Sequence, residues 1–572
     1  MTSFKEQAIE LVAAGLDRLD PGIRADNGID VAQMIEVPPS GELGDYAFPC
    51  FALARILRRS PVEIAQQLAE VVEKPPWLAK VEAVSGYVNL TLDRGQLADA
   101  VLRAAIEEGR SFGSAPDRGK TVVIDYSSPN IAKPFTLGHI RSTVIGESLA
   151  RIFEHRGYKV VRVNHLGDWG TQFGRLIVAY KRWGDEERLA EGAIKELFRL
   201  YVRFHEEAEK DPSLEDEGRA WFLRLEQGDR EATELWRRFR ALSLEEFESM
   251  YQRLGIRFDD YTGESGYNDV LEQTVQALED KGLLTESDGA LVVELGDDMP
   301  PCIIRKRDGA TLYATRDIAA AIRRYEKTRF DWMFYVVDSR QSLHFQQVFA
   351  VLKKLGMEWA DGMEHIAFGT LIFGEEIMST RKGNVIFLED VLNEAVERVR
   401  QIIEERNPTL TDKEQVAEMV GVGAVVFNDL AHNRIKDVVF EWDRLLNFDG
   451  DTGPYVQYTH ARACSVLSKG REQGELPLES GFAAYEWEDQ EIDLIRLLGR
   501  FGDVVETAKE AREPSTVARY VLDLAQKFNA FYHSNRILGN ERAPLRLAIA
   551  RAVKEVLAAG LYLLNVQAPE KM

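Results

Sequence analysis

Cysteine is nearly absent: Cys50, Cys302 and Cys464 are the only three in 572 residues. They lie far apart, with no two-residue spacing and no histidine pairing beside them, so no zinc site is expected and the three read as reduced, inert thiols. Long apolar runs are missing as well. No window approaches the roughly 20 apolar residues of a membrane span, which excludes a membrane protein of the helical kind. The first residues, Met1-Thr2-Ser3-Phe4-Lys5-Glu6, show no basic stretch leading into an apolar core. No secretory signal is therefore expected, and the cytoplasm is the expected location. Internal repeats and long low-complexity segments are lacking too. Positive charge is in deficit: 71 Lys and Arg against 94 Asp and Glu leave a net charge of −23. That opposes the basic excess of most nucleic-acid binders. A local basic stripe can still neutralise phosphates, and a folded RNA is recognised partly by shape and unstacked bases. Any RNA affinity is then expected to be markedly salt-sensitive.

What is present is a large globular chain. Its length predicts roughly three to four domains, and 45% hydrophobic with 29% charged residues is a soluble composition. Residues 1–115 read as a small α/β domain, with helices at 4–19 and 62–72 and a strand at 86–92; a Gly, Ser and Pro-containing linker at 111–120 closes it. Between 116 and 405 strand and helix signals alternate, with strands at 159–164, 291–295, 303–305 and 333–337 and helices at 343–355 and 388–403. That alternation predicts a doubly wound parallel sheet. A charged helical insertion at about 184–290, with helices at 186–203 and 231–253, interrupts it. Residues 406–450 read as a helical connecting region. From 451 to 572 an all-α bundle is expected, with helices at 455–469, 492–511, 515–534 and 543–564.

The most informative stretch is Ser127-Ser128-Pro129-Asn130-Ile131-Ala132-Lys133-Pro134-Phe135-Thr136-Leu137-Gly138-His139-Ile140-Arg141-Ser142. It follows a β-branched run at 121–126 and opens a helix on which Ile140, Val144, Ile145, Leu149 and Ile152 recur with helical spacing. A phosphate belongs at such a junction. Gly138 lets a flat base or ribose approach the backbone, and His139 can offer a ring N–H to phosphoryl oxygens, although a histidine there can equally be a solvated or capping residue.

The stretch resembles the HIGH signature of class I aminoacyl-tRNA synthetases, in the arginyl-tRNA synthetase version. Further blocks resemble that family in the family's order. They are Asn164-His165-Leu166-Gly167-Asp168-Trp169-Gly170, Tyr313-Ala314-Thr315-Arg316-Asp317, Gln341-Ser342-Leu343-His344, Met378-Ser379-Thr380-Arg381-Lys382-Gly383-Asn384 and Phe448-Asp449-Gly450-Asp451-Thr452-Gly453-Pro454-Tyr455. Such ordered blocks are hard to obtain by chance. The resemblance implies a Rossmann-like class I catalytic domain, an N-terminal domain that contacts the tRNA elbow and an anticodon-binding helix bundle. It implies ATP-dependent ligation of arginine to tRNA(Arg), with tRNA required before activation, transfer to the 2′-hydroxyl, and a monomer. Magnesium is expected only as the companion of ATP, with no protein-bound metal site. The rivals are another class I synthetase or a catalytically silent RNA-binding paralogue.

The same resemblance puts Thr136, Gly138, His139, Met378, Ser379 and Thr380 at the nucleotide, with Lys133, His139, Arg381 and Lys382 acting on the phosphates. Arg381 and Lys382 can also be an ordinary basic turn. Two positions depart from the family pattern: Thr136 stands for the first signature histidine, and Ile377 for the lysine that opens the second signature. Lys133 is the lysine that the family is thought to use when the loop lysine is missing. Selecting arginine needs a carboxylate facing a planar guanidinium, whose fork-shaped donors match two acceptor oxygens. Asp317 is the candidate, four positions after Tyr313, and a helix N-cap is its alternative. By resemblance Asn164 and Gln341 hold the α-amino group, and Asn130 and His165 line the pocket. Tyr455, Tyr458, His460, Arg462, Tyr532, Asn535 and Arg536 are candidates for base contact, although aromatics at this spacing are as readily core.

Overall fold

The run Thr121-Val122-Val123-Ile124-Asp125 has the branched side chains of a strand buried on both faces, and it forms the middle of a parallel sheet. The computed structural model describes residues 4–38, 41–307, 309–373 and 385–572. The sheet strands are β1 (Thr121–Asp125), β2 (Lys159–Val163), β3 (Trp332–Asp338) and β4 (Met363–Phe368), in the order β4-β3-β1-β2. All pairings are parallel: Val122 faces Trp332, Thr121 faces Lys159, and Met363 faces Met333. The chain reverses its winding between β1 and β3. A doubly wound sheet binds its ligands beyond the carboxyl ends of the strands at such a point.

Helices α1 (Ile140–His155), α2 (Arg230–Leu254), α3 (Tyr313–Thr328) and α4 (Ser342–Lys354) surround this site. One core joins the sheet to α3 and α4 through Val123, Val163, Ile318, Met333, Phe345, Val348 and Leu352. Full burial of each such side chain is worth about 1.5–3 kcal/mol. A second core packs the helical insertion against the helix Thr171–Trp183, where Phe173, Ile177, Leu200, Phe204, Trp221 and Phe239 meet.

Three expectations need correction. Residues 291–295 and 303–305 do not join the parallel sheet; they form a separate antiparallel sheet of Leu284–Ser287, Ala290–Val293 and Cys302–Arg305. Asp288 and Gly289, with φ of 50° and 79°, make a two-residue hairpin turn, which forces antiparallel pairing of Ser287 with Ala290. The helix expected at 186–203 divides into Glu186–Glu191 and Ala193–Lys210, because Gly192 has extended backbone with φ −170°. The helix expected at 492–511 likewise divides into Asp489–Gly499 and Phe501–Ala511.

The chain makes two compact units that are not contiguous in sequence. One gathers Met1–Phe112, Ala463–Phe501 and Gln526–Val556; the other gathers Gly113–Arg462, Gly502–Ala525 and Leu557–Met572. In the first, a three-stranded antiparallel sheet of Tyr46–Pro49, Tyr87–Leu92 and Leu78–Val84 is backed by the helices Phe4–Leu19 and Pro61–Val71. Asp45 ties it together, accepting from the Leu92 backbone N–H at 2.8 Å and from Arg496 Nε at 2.6 Å. The second unit holds the parallel sheet and the crevice beyond the carboxyl ends of its strands. Among the described residues no helix is long and apolar enough to cross a membrane.

Candidate active site

The loop after β1 is strained. Ser127, Ser128 and Ala132 hold left-handed backbone with φ of 71°, 47° and 60°, which costs roughly 1–2 kcal/mol for each residue with a side chain. Buried hydrogen bonds offset that cost. Ser127 N–H donates to Ser142 Oγ at 2.9 Å, Ser128 N–H to Asn164 Oδ1 at 3.2 Å, and Ala132 N–H to Ser243 Oγ at 2.9 Å. Ser243 and Tyr251 both lie on α2, so the last helix of the insertion braces the loop.

The loop fixes the state of His139. The Thr136 backbone N–H donates to His139 Nδ1 at 3.0 Å, so Nδ1 carries no proton and Nε2 does. Burial lowers the imidazole pKa to about 4, and the charge of Lys133 adds to the effect. His139 is therefore neutral at pH 7 and presents one N–H. Thr136 itself is buried, and its Oγ1 lies 2.9 Å from the same ring nitrogen, so it holds the histidine. Gly138 is exposed, and Lys133 is half-buried with its ammonium 5.1 Å from the Tyr201 ring centre. Phe135 and Leu137 pair with the chain at Ile386 and Leu388 through two backbone bonds of 2.9 and 3.0 Å. Met378, Ser379, Thr380, Arg381 and Lys382 lie outside the described residues.

On the other side of the crevice, α3 starts at Tyr313, and its N-cap is Leu312. Asp317 thus sits in the second turn, which removes the N-cap alternative. Its Oδ2 accepts from His344 Nε2 at 2.6 Å. Tyr313 is 67% exposed at the mouth. Gln341 is exposed and closes the short turn Ser339–Gln341 that follows β3. Asn130 stands against Gly167, where any Cβ would come within 2.1 Å of Asn130 Oδ1, so glycine leaves the Asn130 carboxamide in its place. Asn164 follows β2 directly and is fully buried, with Nδ2 donating to Tyr251 OH at 2.9 Å. His165 is half-buried, and its Nδ1 donates to the Thr262 carbonyl at 3.2 Å.

Sequence reasoning missed Glu264. Burial raises its pKa to about 7, the Arg316 charge opposes that rise, and the carboxylates of Asp317 and Asp168 reinforce it. Its loop is held by Asp168, fully buried, which accepts from Ser265 N–H at 2.8 Å and from Arg240 Nε at 3.0 Å. Nothing in the sequence marks Glu264, since its importance comes from three loops converging. Arg316, which had no expected role, donates to Asn268 Oδ1 at 2.5 Å. Beneath the site Arg324 is buried and donates to Asp125 Oδ2 at 2.7 Å, pinning α3 to the end of β1. Among the described residues no group of three His, Cys, Asp or Glu side chains is arranged to hold a metal ion.

Of the candidates for base contact, His460 is only 2% exposed and its Nδ1 donates to the Pro569 carbonyl at 2.9 Å, so it belongs to the core. Tyr458 is 40% exposed, with the Arg462 guanidinium 4.9 Å from its ring centre. Tyr455 and Tyr532 are half-buried. Asn535 Nδ2 donates to Gln490 at 2.6 Å, and the exposed Arg536 donates to the Leu538 carbonyl at 2.9 Å.

Three family models match the chain in series: the N-terminal domain of arginyl tRNA synthetase over residues 6–92, the catalytic domain of the class I (R) tRNA synthetases over 101–442, and the DALR anticodon binding domain over 456–572. Arginine–tRNA ligase 1 of Bacillus cereus is 52% identical over 545 residues, covering 95% of this chain and 96% of that protein. Arginine–tRNA ligase of Alkaliphilus metalliredigens is 47% identical over 577 residues, with both chains covered completely. Among solved structures, Thermus thermophilus arginyl-tRNA synthetase superposes with a TM-score of 0.84 at 28% identity, over the whole of both chains. The ordered motifs, the reversed parallel sheet and these full-length likenesses have one meaning: the chain belongs to the class I arginyl-tRNA synthetase family.

Proposed function

We propose that the crevice beyond β1, β2 and β3 joins arginine to tRNA(Arg) in two steps. In the first, a carboxylate oxygen of arginine attacks the α-phosphorus of ATP, giving arginyl-adenylate and pyrophosphate. In the second, the 2′-hydroxyl of the terminal adenosine attacks the activated carbonyl carbon, and AMP leaves with the hydroxyl proton on its phosphate. Bound tRNA is required before the first step.

His139 donates its Nε2 proton to a phosphoryl oxygen as a neutral hydrogen-bond donor, and Lys133 supplies the charge that Ile377 does not. Arg381 and Lys382 add positive charge, with Met378, Ser379 and Thr380 on the same phosphate side. Stabilising charge on phosphoryl oxygens in this way is the main lever for such a transfer. Thr136 orients His139, and Gly138 leaves room for the adenosine. Asp317 faces the guanidinium with Tyr313 as a flat wall, and Glu264 adds a second acid. Asn164 and Gln341 serve the α-amino end, while Asn130 and His165 line the pocket. Magnesium enters with the ATP phosphates as part of the substrate. The protein acts as a monomer in the cytoplasm.

One observation carries this reading: a half-buried carboxylate, Asp317, is fixed by His344 at 2.6 Å beside a second acid, Glu264. Two neighbouring acids suit a cationic head group. Incubation with ATP, tRNA(Arg) and labelled arginine is the test. Label that becomes acid-precipitable with tRNA supports the reading, and label that stays free in its presence contradicts it.

A further inference from the structure

The two halves of the site are joined by one continuous line of buried groups. Asn164 Nδ2 lies 2.9 Å from Tyr251 OH, Tyr251 OH 2.7 Å from Ser127 Oγ, Ser127 Oγ 2.9 Å from Thr143 Oγ1, and Thr143 Oγ1 2.7 Å from the His139 carbonyl oxygen. Asn164 and Thr143 are fully buried, Tyr251 is 1% exposed and Ser127 is 5% exposed.

The ends fix two of the directions. A carboxamide NH₂ can only donate, so Tyr251 accepts from Asn164, and the Tyr251 and Ser127 hydroxyls bond each other with either as donor. The His139 carbonyl can only accept, so Thr143 Oγ1 donates to it and shares that donation with Ser127 Oγ. A buried line of this kind strengthens its own members, and a break leaves a buried polar group unpaired.

We infer that Tyr251, supplied by the helical insertion, is a positioning residue that sets the Asn164 carboxamide and the strained Ser127 turn together. The inference rests on the function proposed above. The ring is held independently of the hydroxyl, with Phe135 and Phe258 at 5.5 and 4.9 Å between ring centres. Removing the oxygen alone therefore tests the chain and spares the packing. In Tyr251→Phe, Asn164 loses its acceptor and Ser127 loses its hydroxyl partner, while the Thr143 bond to the His139 carbonyl stays.

The experiment is steady-state tRNA charging by the full chain, with arginine and ATP varied in turn, for Tyr251→Phe, Ser127→Ala and the double variant. The expected result is an arginine KM raised roughly tenfold in each single variant, an ATP KM changed less than twofold, and a double variant no worse than the weaker single one. If Tyr251→Phe does not fold, Ser127→Ala alone must show the arginine KM effect. An unchanged arginine KM with only a fall in kcat, or losses that multiply in the double variant, overturns the inference. If the unaltered chain charges no arginine, the proposed function fails and the inference falls with it; if it charges normally and the variants do too, the inference fails alone.

Discussion

His344 Nε2 lies 2.6 Å from Asp317 Oδ2, so one oxygen of the carboxylate is held by the protein and Oδ1 is left for another partner. A fixed carboxylate presents its acceptors in one plane, which is what a guanidinium fork requires. His344→Ala is expected to raise the KM for arginine by roughly tenfold, the worth of one charge-assisted hydrogen bond, with kcat changed much less. Charging kinetics with arginine varied check this. A kcat that falls tenfold at constant KM would show that His344 acts elsewhere.

Under the proposed function, Lys133 supplies the charge of the lysine that the sequence lacks at Ile377. Its charge already reaches His139, which it helps to keep neutral. Lys133→Ala is expected to lower kcat for charging by roughly 100-fold or more, the scale of losing one group that stabilises transition-state charge. The circular-dichroism melting curve should stay within a few degrees of the parent. Near-normal turnover would remove Lys133 from the phosphate site.

Glu264 predicts a pH effect of definite sign. With its pKa raised to about 7, roughly half the population is protonated at pH 7 before arginine binds. A cation bound beside it lowers that pKa, so binding expels the proton. Arginine affinity should therefore rise between pH 6 and 8, and calorimetry in buffers of different ionisation heat should show about half a proton released at pH 7. Glu264→Gln should abolish both effects.

His139 predicts a second pH dependence. Its pKa falls from the ordinary histidine value of 6.5 to about 4 on folding. The unfolded chain then binds the extra proton between those values, so the contribution to stability is complete above pH 6.5 and is lost as pH falls toward 4. A nuclear magnetic resonance titration of labelled His139 should show no protonation between pH 8 and 6. Protonation in that range would contradict the neutral Nε2 donor.

Gly167 offers a steric test. In Gly167→Ala the new Cβ would sit 2.1 Å from Asn130 Oδ1, well inside contact distance, so the Asn130 carboxamide must turn away. Arginine KM is expected to rise severalfold while the fold persists, which charging kinetics and a melting curve together resolve.

Much of this is legible in the sequence itself. The run Thr121–Asp125 reads as a buried strand because its branched side chains allow little else, and the helix Phe4–Leu19 follows from its spacing of apolar residues. The Asp288-Gly289 turn joins two residues that accept positive φ, yet the segment after it, 291–295, reads by its apolar run as a member of the parallel sheet, and Leu284–Ser287 before it carries no expected strand. Other features depend on contacts that no local pattern encodes. The tautomer of His139 is set by a backbone N–H three residues earlier. His460 carries the residue type of a base-stacking candidate, but its ring nitrogen is taken by the Pro569 carbonyl, which lies 109 positions away. Glu264 and Tyr251 gain their places only when the insertion folds against the loops after β1 and β2.

The central claim is that Asp317 selects the guanidinium. The most direct measurement is kcat/KM for charging tRNA(Arg) with arginine by the parent chain and by Asp317→Asn, with citrulline, the neutral isostere, as competitor. The account predicts a loss of roughly 100-fold or more in Asp317→Asn and no competition from citrulline against the parent. Equal kcat/KM values for parent and variant would contradict it.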